Sequence, residues 1–395
     1  MEVSKRIFNL ETETAFSILA KANNLAAKGK DIINLGIGQP DFPTPINIQE
    51  AAIKAIKDGH HGYTPANGIL ELREAVSKDI SIRRGADVNP DDIIILPGGK
   101  VTIFFSALIL GEPGIEILYP DPGFPIYRSA IEFSGARGIP IKVDQSNNFS
   151  FKAEQILEKI TPSTRLIILN SPGNPTGGVV KQQEVDSLVR GLEGFPEVFI
   201  LSDEIYSRLI YGSTKHISLL SYPSIRNRLI LLDGWSKTYA MTGWRIGYSV
   251  WPKGLIEIVN RLAINNHSCV NAPTQFAAIE ALNGPQSSVQ KMISAFEERR
   301  KIIVKELANI NGFNCSNPAG AFYVMPNIAD TGLSSKQLQD GLLEKAGVAT
   351  IAGTSFGEYG EGFLRFSYAA SKEQIFEAMK RINEFLNNSN LDQTK

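Results

Sequence analysis

Lys237 lies in Ser236-Lys237-Thr238-Tyr239-Ala240-Met241-Thr242-Gly243-Trp244-Arg245, a turn-rich run that sets a lysine and an arginine just after the apolar block Leu229-Ile230-Leu231-Leu232. A short apolar block bounded by glycine reads as a buried strand. Lys237 therefore falls at or just beyond a strand's C-terminal end, the edge where open α/β sheets bind ligands. A lysine held against apolar surface loses solvation that favours its ammonium form, so the neutral amine needed for a Schiff base becomes accessible. Taken alone, an exposed lysine on a polar turn is the ordinary outcome. Two further blocks end in the same manner. Val198-Phe199-Ile200-Leu201 runs into Asp203 and Tyr206, and Leu166-Ile167-Ile168-Leu169 runs into Ser171-Pro172-Gly173-Asn174-Pro175. A lone aspartate after a strand often caps the next helix. Three strands that each deliver a polar residue to one edge point instead to a shared crevice.

An anion site accompanies them. Ile93-Ile94-Ile95-Leu96 leads through Pro97-Gly98-Gly99 into Lys100 and an apolar helix, and free backbone N–H groups at a helix start bind anions. A glycine pair by itself usually marks only a turn. Arg245 can make a bidentate contact with the same anion. Arg365 alternates with apolar residues in Phe363-Leu364-Arg365-Phe366, and an arginine buried among aromatics needs an anionic partner.

These ordered motifs resemble the class I aminotransferases, the aspartate-aminotransferase-like enzymes of fold type I that use pyridoxal 5′-phosphate, over a span from about Asn34 to Ala370. The resemblance implies an α/β fold, with a large domain whose mostly parallel sheet is covered by helices and a smaller α+β domain. It implies that Lys237 is the Schiff-base lysine, that Asp203 partners the pyridine nitrogen, and that Tyr206 and Asn174 bond the ring oxygen. Arg245, Ser236, and the backbone of Gly99 and Lys100 are similar to phosphate ligands. Phe124, in Asp121-Pro122-Gly123-Phe124-Pro125, matches an aromatic residue that stacks on the ring; among twenty phenylalanines, an ordinary core role is the competing reading. Arg365 resembles the arginine that grips the substrate α-carboxylate, with Gly38 and Asn174 close by. Tyr63 looks like the tyrosine that reaches the phosphate of a neighbouring subunit, which implies a homodimer with shared active sites. Trp235 departs from the pattern, where a smaller apolar residue is more common.

The implied reaction moves an amino group from an L-amino acid to a 2-oxo acid by a ping-pong route. A buried carboxylate at Asp203 keeps the ring nitrogen protonated and the ring electron-withdrawing. The donor stays open. Lys100 matches a lysine that recognises acidic side chains in one subgroup and points to aspartate, glutamate or prephenate. Glu13 and Ala15 stand where that subgroup has small hydroxyl residues; Glu13 either faces the pocket and repels an acidic substrate or faces solvent. A β-lyase or synthase on the same lysine is the alternative, since fold alone does not select among them. A cofactor-sensing transcription regulator is disfavoured because too few residues precede the pattern to hold an added DNA-binding domain. A nicotinamide dehydrogenase is disfavoured because no G-x-G-x-x-G opens a first βαβ unit.

The 395 residues, with 43% apolar content, can bury a large core in about two domains. Strands and helices alternate across 46–284, the expected large cofactor-binding domain, while 1–45 and 285–395 form the expected small domain. Helical periodicity marks Gln286 to Ile310 as a connector, with Phe296, Ile303 and Leu307 on its apolar face. Strands are expected at Ala321–Met325, Val348–Ile351 and Phe363–Phe366. The 40 basic and 41 acidic residues carry no nucleic-acid or membrane signature. Two cysteines, Cys269 and Cys315, offer neither a disulfide framework nor a metal site, which together with the lack of a signal-like segment implies a cytoplasmic protein.

Overall fold

The computed structural model describes residues 3–10 and 13–393. Its strands, in chain order, are β1 (Ile33–Asn34), β2 (Ile93–Leu96), β3 (Glu116–Asp121), β4 (Arg137–Lys142), β5 (Thr164–Asn170), β6 (Phe199–Asp203), β7 (Leu229–Gly234), β8 (Gly247–Val250), β9 (Tyr323–Val324), β10 (Val348–Ala349), β11 (Ile351–Ala352) and β12 (Leu364–Ser367). Seven of them form one sheet in the order β2-β8-β7-β6-β5-β3-β4. The pairs from β4 through β7 are parallel, and β8 runs antiparallel to both β7 and β2.

The continuous apolar runs in β5, β6 and β7 follow from burial on both faces, since a parallel sheet covered twice has no side to give to water. Successive residues alternate between two cores. Ile167, Leu169, Ile200, Leu229 and Leu231 meet the helices Ile46–Lys57, Leu70–Arg84, Gln182–Gly191 and Ala272–Asn283 on one face. Leu166, Ile168, Leu201, Ile230 and Leu232 meet Lys100–Leu110, Ile126–Ser134 and Ile256–His267 on the other. Fully burying each such side chain contributes about 1.5–3 kcal/mol.

A third core gathers β1, β9, β12 and the helices Ser287–Ala308 and Lys372–Gln393. The connector helix expected over 286–310 is present, and Phe296, Ile303 and Leu307 are fully buried. Phe296 stacks on Phe322 at 5.2 Å and meets Phe42 edge-on at 5.4 Å, so its truncation to alanine would cost about 3–5 kcal/mol.

The expected tail strands are present, two of them shorter and the third, Leu364–Ser367, shifted by one residue from the expected Phe363–Phe366. Only Tyr323 and Val324 pair within Ala321–Met325. The run Val348–Ile351 breaks at Thr350: β10 pairs in parallel with β1, whereas β11 pairs antiparallel with β12. Local β propensity cannot show that two halves of one apolar run serve different partners. Among the described residues, no helix is long and apolar enough to cross a membrane.

Candidate active site

The C-terminal ends of β5, β6 and β7 lie side by side, in register Asn170↔Asp203 and Asp203↔Leu232. Above them opens a cavity of about 420 Å³. Its wall brings together Gly38, Gly99, Lys100, Phe124, Asn174, Asp203, Tyr206, Ser236, Lys237, Arg245 and Arg365, all flagged from the sequence. Tyr63 is not on that wall and is 91% exposed.

Lys237 follows β7 by three residues, and its Nζ donates to the Gly38 carbonyl at 2.6 Å. That contact joins segments 199 residues apart. Burial, reinforced by the neighbouring Arg365 charge, pulls the amine down from 10.5 to about 8. Gly38 is required by close approach: a Cβ there would stand 2.2 Å from the Tyr323 hydroxyl. Trp235, the departure from the family pattern, packs without conflict. It is fully buried, donates from Nε1 to the Ala278 carbonyl at 3.1 Å and meets Tyr248 edge-on.

Asp203 ends β6 and is 4% exposed. Its Oδ2 accepts from the Tyr127 hydroxyl at 2.7 Å and its Oδ1 from the Ile205 N–H at 3.2 Å. Burial raises its pKa to about 6 despite both donors. Tyr206 shares a 2.9 Å hydrogen bond with Tyr323, and burial raises both phenols above their ordinary value, Tyr206 well above it.

At the anion end, Gly98 has φ +93, and a Cβ there would fall 2.2 Å from Nη2 of Arg245. The glycine turn and the arginine thus lie in contact at the start of the helix Lys100–Leu110, where the cap residue Gly99 supplies no side-chain acceptor. Arg245 itself adopts φ +54 and donates to the Thr242 carbonyl at 2.7 Å.

At the opposite end, Arg365 is 3% exposed and sits between the rings of Tyr323 and Phe356, each 4.6 Å from its guanidinium carbon. It donates to Asn174 Oδ1 at 2.9 Å and to the Gly36 carbonyl, while its buried Nε has no partner. A buried guanidinium with one donor unpaired is chemically suited to an anionic partner.

Glu13 faces the cavity and bonds the Lys100 ammonium; Ala15 lines the same wall. This settles its orientation toward the pocket. Lys100 also lies over the rings of Phe16 and Phe124, 5.5 Å from each centroid.

Sequence reasoning did not single out Tyr127, Tyr323 or Phe356, which also line the cavity; Tyr323 figured only within an expected strand. It also missed the buried charges beneath the site. Arg84, at the end of the helix Leu70–Arg84, pairs with Glu204 at 2.9 Å and with Asp233. His216 also contacts Glu204. Burial alone would raise Glu204, but His216 and Arg84 outweigh it and hold the carboxylate at about 2. The acids flanking two strand-end motifs were the visible signal; their shared arginine lies over a hundred residues away in the chain.

A mostly parallel, doubly covered sheet with an amine, a buried carboxylate and two arginines lining the cavity at its C-terminal edge fits a fold type I enzyme. The family model described as "Aminotransferase class I and II" matches residues 30–382, and the chain belongs to that family. An aspartate aminotransferase of Pyrococcus horikoshii is 41% identical over 363 residues, 91% of this chain and 92% of that protein. The solved aspartate aminotransferase of Rhizobium meliloti has 32% identity and a TM-score of 0.94, covering 98% of this chain and 99% of that one. The aromatic aminotransferase of Pyrococcus horikoshii has 34% identity and a TM-score of 0.89, covering 94% and 100%. The protein is an aminotransferase.

Proposed function

We propose that this aminotransferase uses pyridoxal 5′-phosphate to transfer the amino group of an acidic L-amino acid, aspartate or glutamate, to a 2-oxo acid. The observation that carries the reading is the opposition, across one cavity, of the depressed Lys237 amine and the buried Asp203 carboxylate. The lining fits the cofactor: four cations, Lys100, Lys237, Arg245 and Arg365, face two acids, Glu13 and Asp203. That surplus suits a phosphate and a substrate carboxylate. When bound, pyridoxal phosphate supplies an aldehyde for the Lys237 amine and a ring that withdraws electrons from the substrate α-carbon.

The chain's own residues divide the remaining work. Arg245, Ser236 and the backbone at Gly99 and Lys100 hold the phosphate, and Phe124 packs on the ring. Asp203 keeps the ring nitrogen charged, while Tyr206 and Asn174 stabilise its phenolic oxygen. Arg365 orients the substrate by its α-carboxylate. With the cofactor bound, the Lys237 amine would take the proton from the substrate α-carbon and return it to the cofactor carbon two bonds away, across the intervening nitrogen. Residues 46–284 form the cofactor-holding body; the described residues of 1–45 and 285–395 form a smaller body carrying Arg365. The exposed Tyr63 reaches a second copy, so the working unit is a homodimer.

The donor turns on Lys100. The aspartate aminotransferases among its relatives favour an acidic side chain. The Glu13–Lys100 pair favours a neutral or aromatic donor as the second reading, because an acidic side chain must displace Glu13. Rates with aspartate, alanine and phenylalanine on the native enzyme and Glu13→Gln decide between them. The acidic reading expects aspartate to lead in the native enzyme. A native preference for phenylalanine that Glu13→Gln reverses toward aspartate supports the second. Turnover of an amino acid with a β-leaving group to pyruvate and ammonia, with no 2-oxo acid present, would favour the β-lyase alternative.

A further inference from the structure

Tyr127 stands on the first turn of the helix Ile126–Ser134, three residues after Phe124, and is fully buried. It does two things at once. Its hydroxyl donates to Asp203 Oδ2 at 2.7 Å, and its ring meets Phe124 edge-on at 5.7 Å with an interplanar angle of 86°. Both partners line the cavity, as Tyr127 itself does.

A carboxylate has two oxygens and about four acceptor positions. On Asp203 one position on each oxygen is taken, by Tyr127 and by the Ile205 N–H. Two donors, one on each oxygen, fix the plane of the group and leave one acceptor position free on each oxygen. The phenol cannot compete as an acid, because burial and the Asp203 charge raise its pKa well above 10. It therefore acts only as a donor, and such a bond lowers the basicity of the carboxylate that receives it. A less basic carboxylate holds a charged ring nitrogen without removing its proton.

We propose that Tyr127 is a positioning residue of this aminotransferase, fixing the Asp203 carboxylate for the cofactor's ring nitrogen while bracing the Phe124 ring that covers the cofactor. The inference rests on the Asp203 role given above and adds a residue that acts through it.

Tyr127→Phe deletes one oxygen and keeps the ring, so the packing against Phe124 survives. Two readouts test it beyond turnover: equilibrium dialysis of pyridoxal phosphate with the apoenzyme, and the ¹⁵N resonance of ring-labelled cofactor in the holoenzyme. A hydrogen bond to a charged group predicts a dissociation constant raised about tenfold or more, with the ¹⁵N signal moved toward the unprotonated ring. Tyr368→Phe removes another buried hydroxyl, bonded to the Ala321 carbonyl, and is expected to move neither. In an Asp203→Asn background, Tyr127→Phe is expected to add little, since both act on one contact.

If Asp203→Asn shifts both readouts and Tyr127→Phe leaves them within twofold of native, the Tyr127 inference is overturned and the Asp203 reading stands. If Asp203→Asn moves neither, the reading of Asp203 fails, and this inference with it. Should Tyr127→Phe not fold, 3-fluorotyrosine at position 127 provides the second variant. Its stronger donor is expected to shift the ¹⁵N signal in the opposite direction, and no shift overturns the proposal.

Discussion

Replacing Lys237 with methionine should stabilise the cofactor-free protein at neutral pH and destabilise it at high pH. Burial displaces the amine from 10.5 to about 8. Between those values the unfolded chain binds more protons than the native one, so native stability rises with pH through that window. The displacement corresponds to about 3 kcal/mol, a penalty fully present below pH 8 and relieved as the pH approaches 10.5. Methionine removes the penalty but also removes the donor to the Gly38 carbonyl, which costs about 1 kcal/mol. The variant is thus expected to be about 2 kcal/mol more stable at pH 7 and about 1 kcal/mol less stable near pH 10.5. Urea unfolding of both cofactor-stripped proteins at the two pH values reads the difference directly, and other titrating groups cancel between them. A variant less stable by the same margin at both pH values would refute a depressed amine.

Two further outcomes follow from neighbouring groups. Arg365→Lys loses the planar fork between Tyr323 and Phe356 and should lower kcat/KM for amino donors about 100-fold, chiefly through KM, while cofactor affinity by dialysis stays native. Arg84→Met strands Glu204 and Asp233 without their shared cation and should cost about 3–5 kcal/mol in urea unfolding; a loss below 1 kcal/mol would show that the acids find other partners.

Much of the site was legible because its chemistry is carried by short motifs on strand ends. Lys237, Asp203 and Asn174 each follow a buried apolar block within a few residues, so strand position alone set them on one edge. Arg365 announced itself by alternating with apolar residues, and its burial between two rings is what that pattern implies. The connector helix was legible for the same reason: a sustained period of 3.6 needs no partner to be recognised. The short tail strands were harder, because β10 and β11 are defined by partners rather than by themselves.

The sequence by itself determined the doubly covered sheet, the strand ends that carry the chemistry, and the kinds of group placed there, since period and composition are local properties of the chain. Only the tertiary structure decided that Glu13 turns toward Lys100, that Tyr127 meets Asp203, and that Arg84 joins the acids behind two motifs. Each of those contacts spans dozens to more than a hundred residues, and desolvation and pairing depend on which distant surfaces fold against one another.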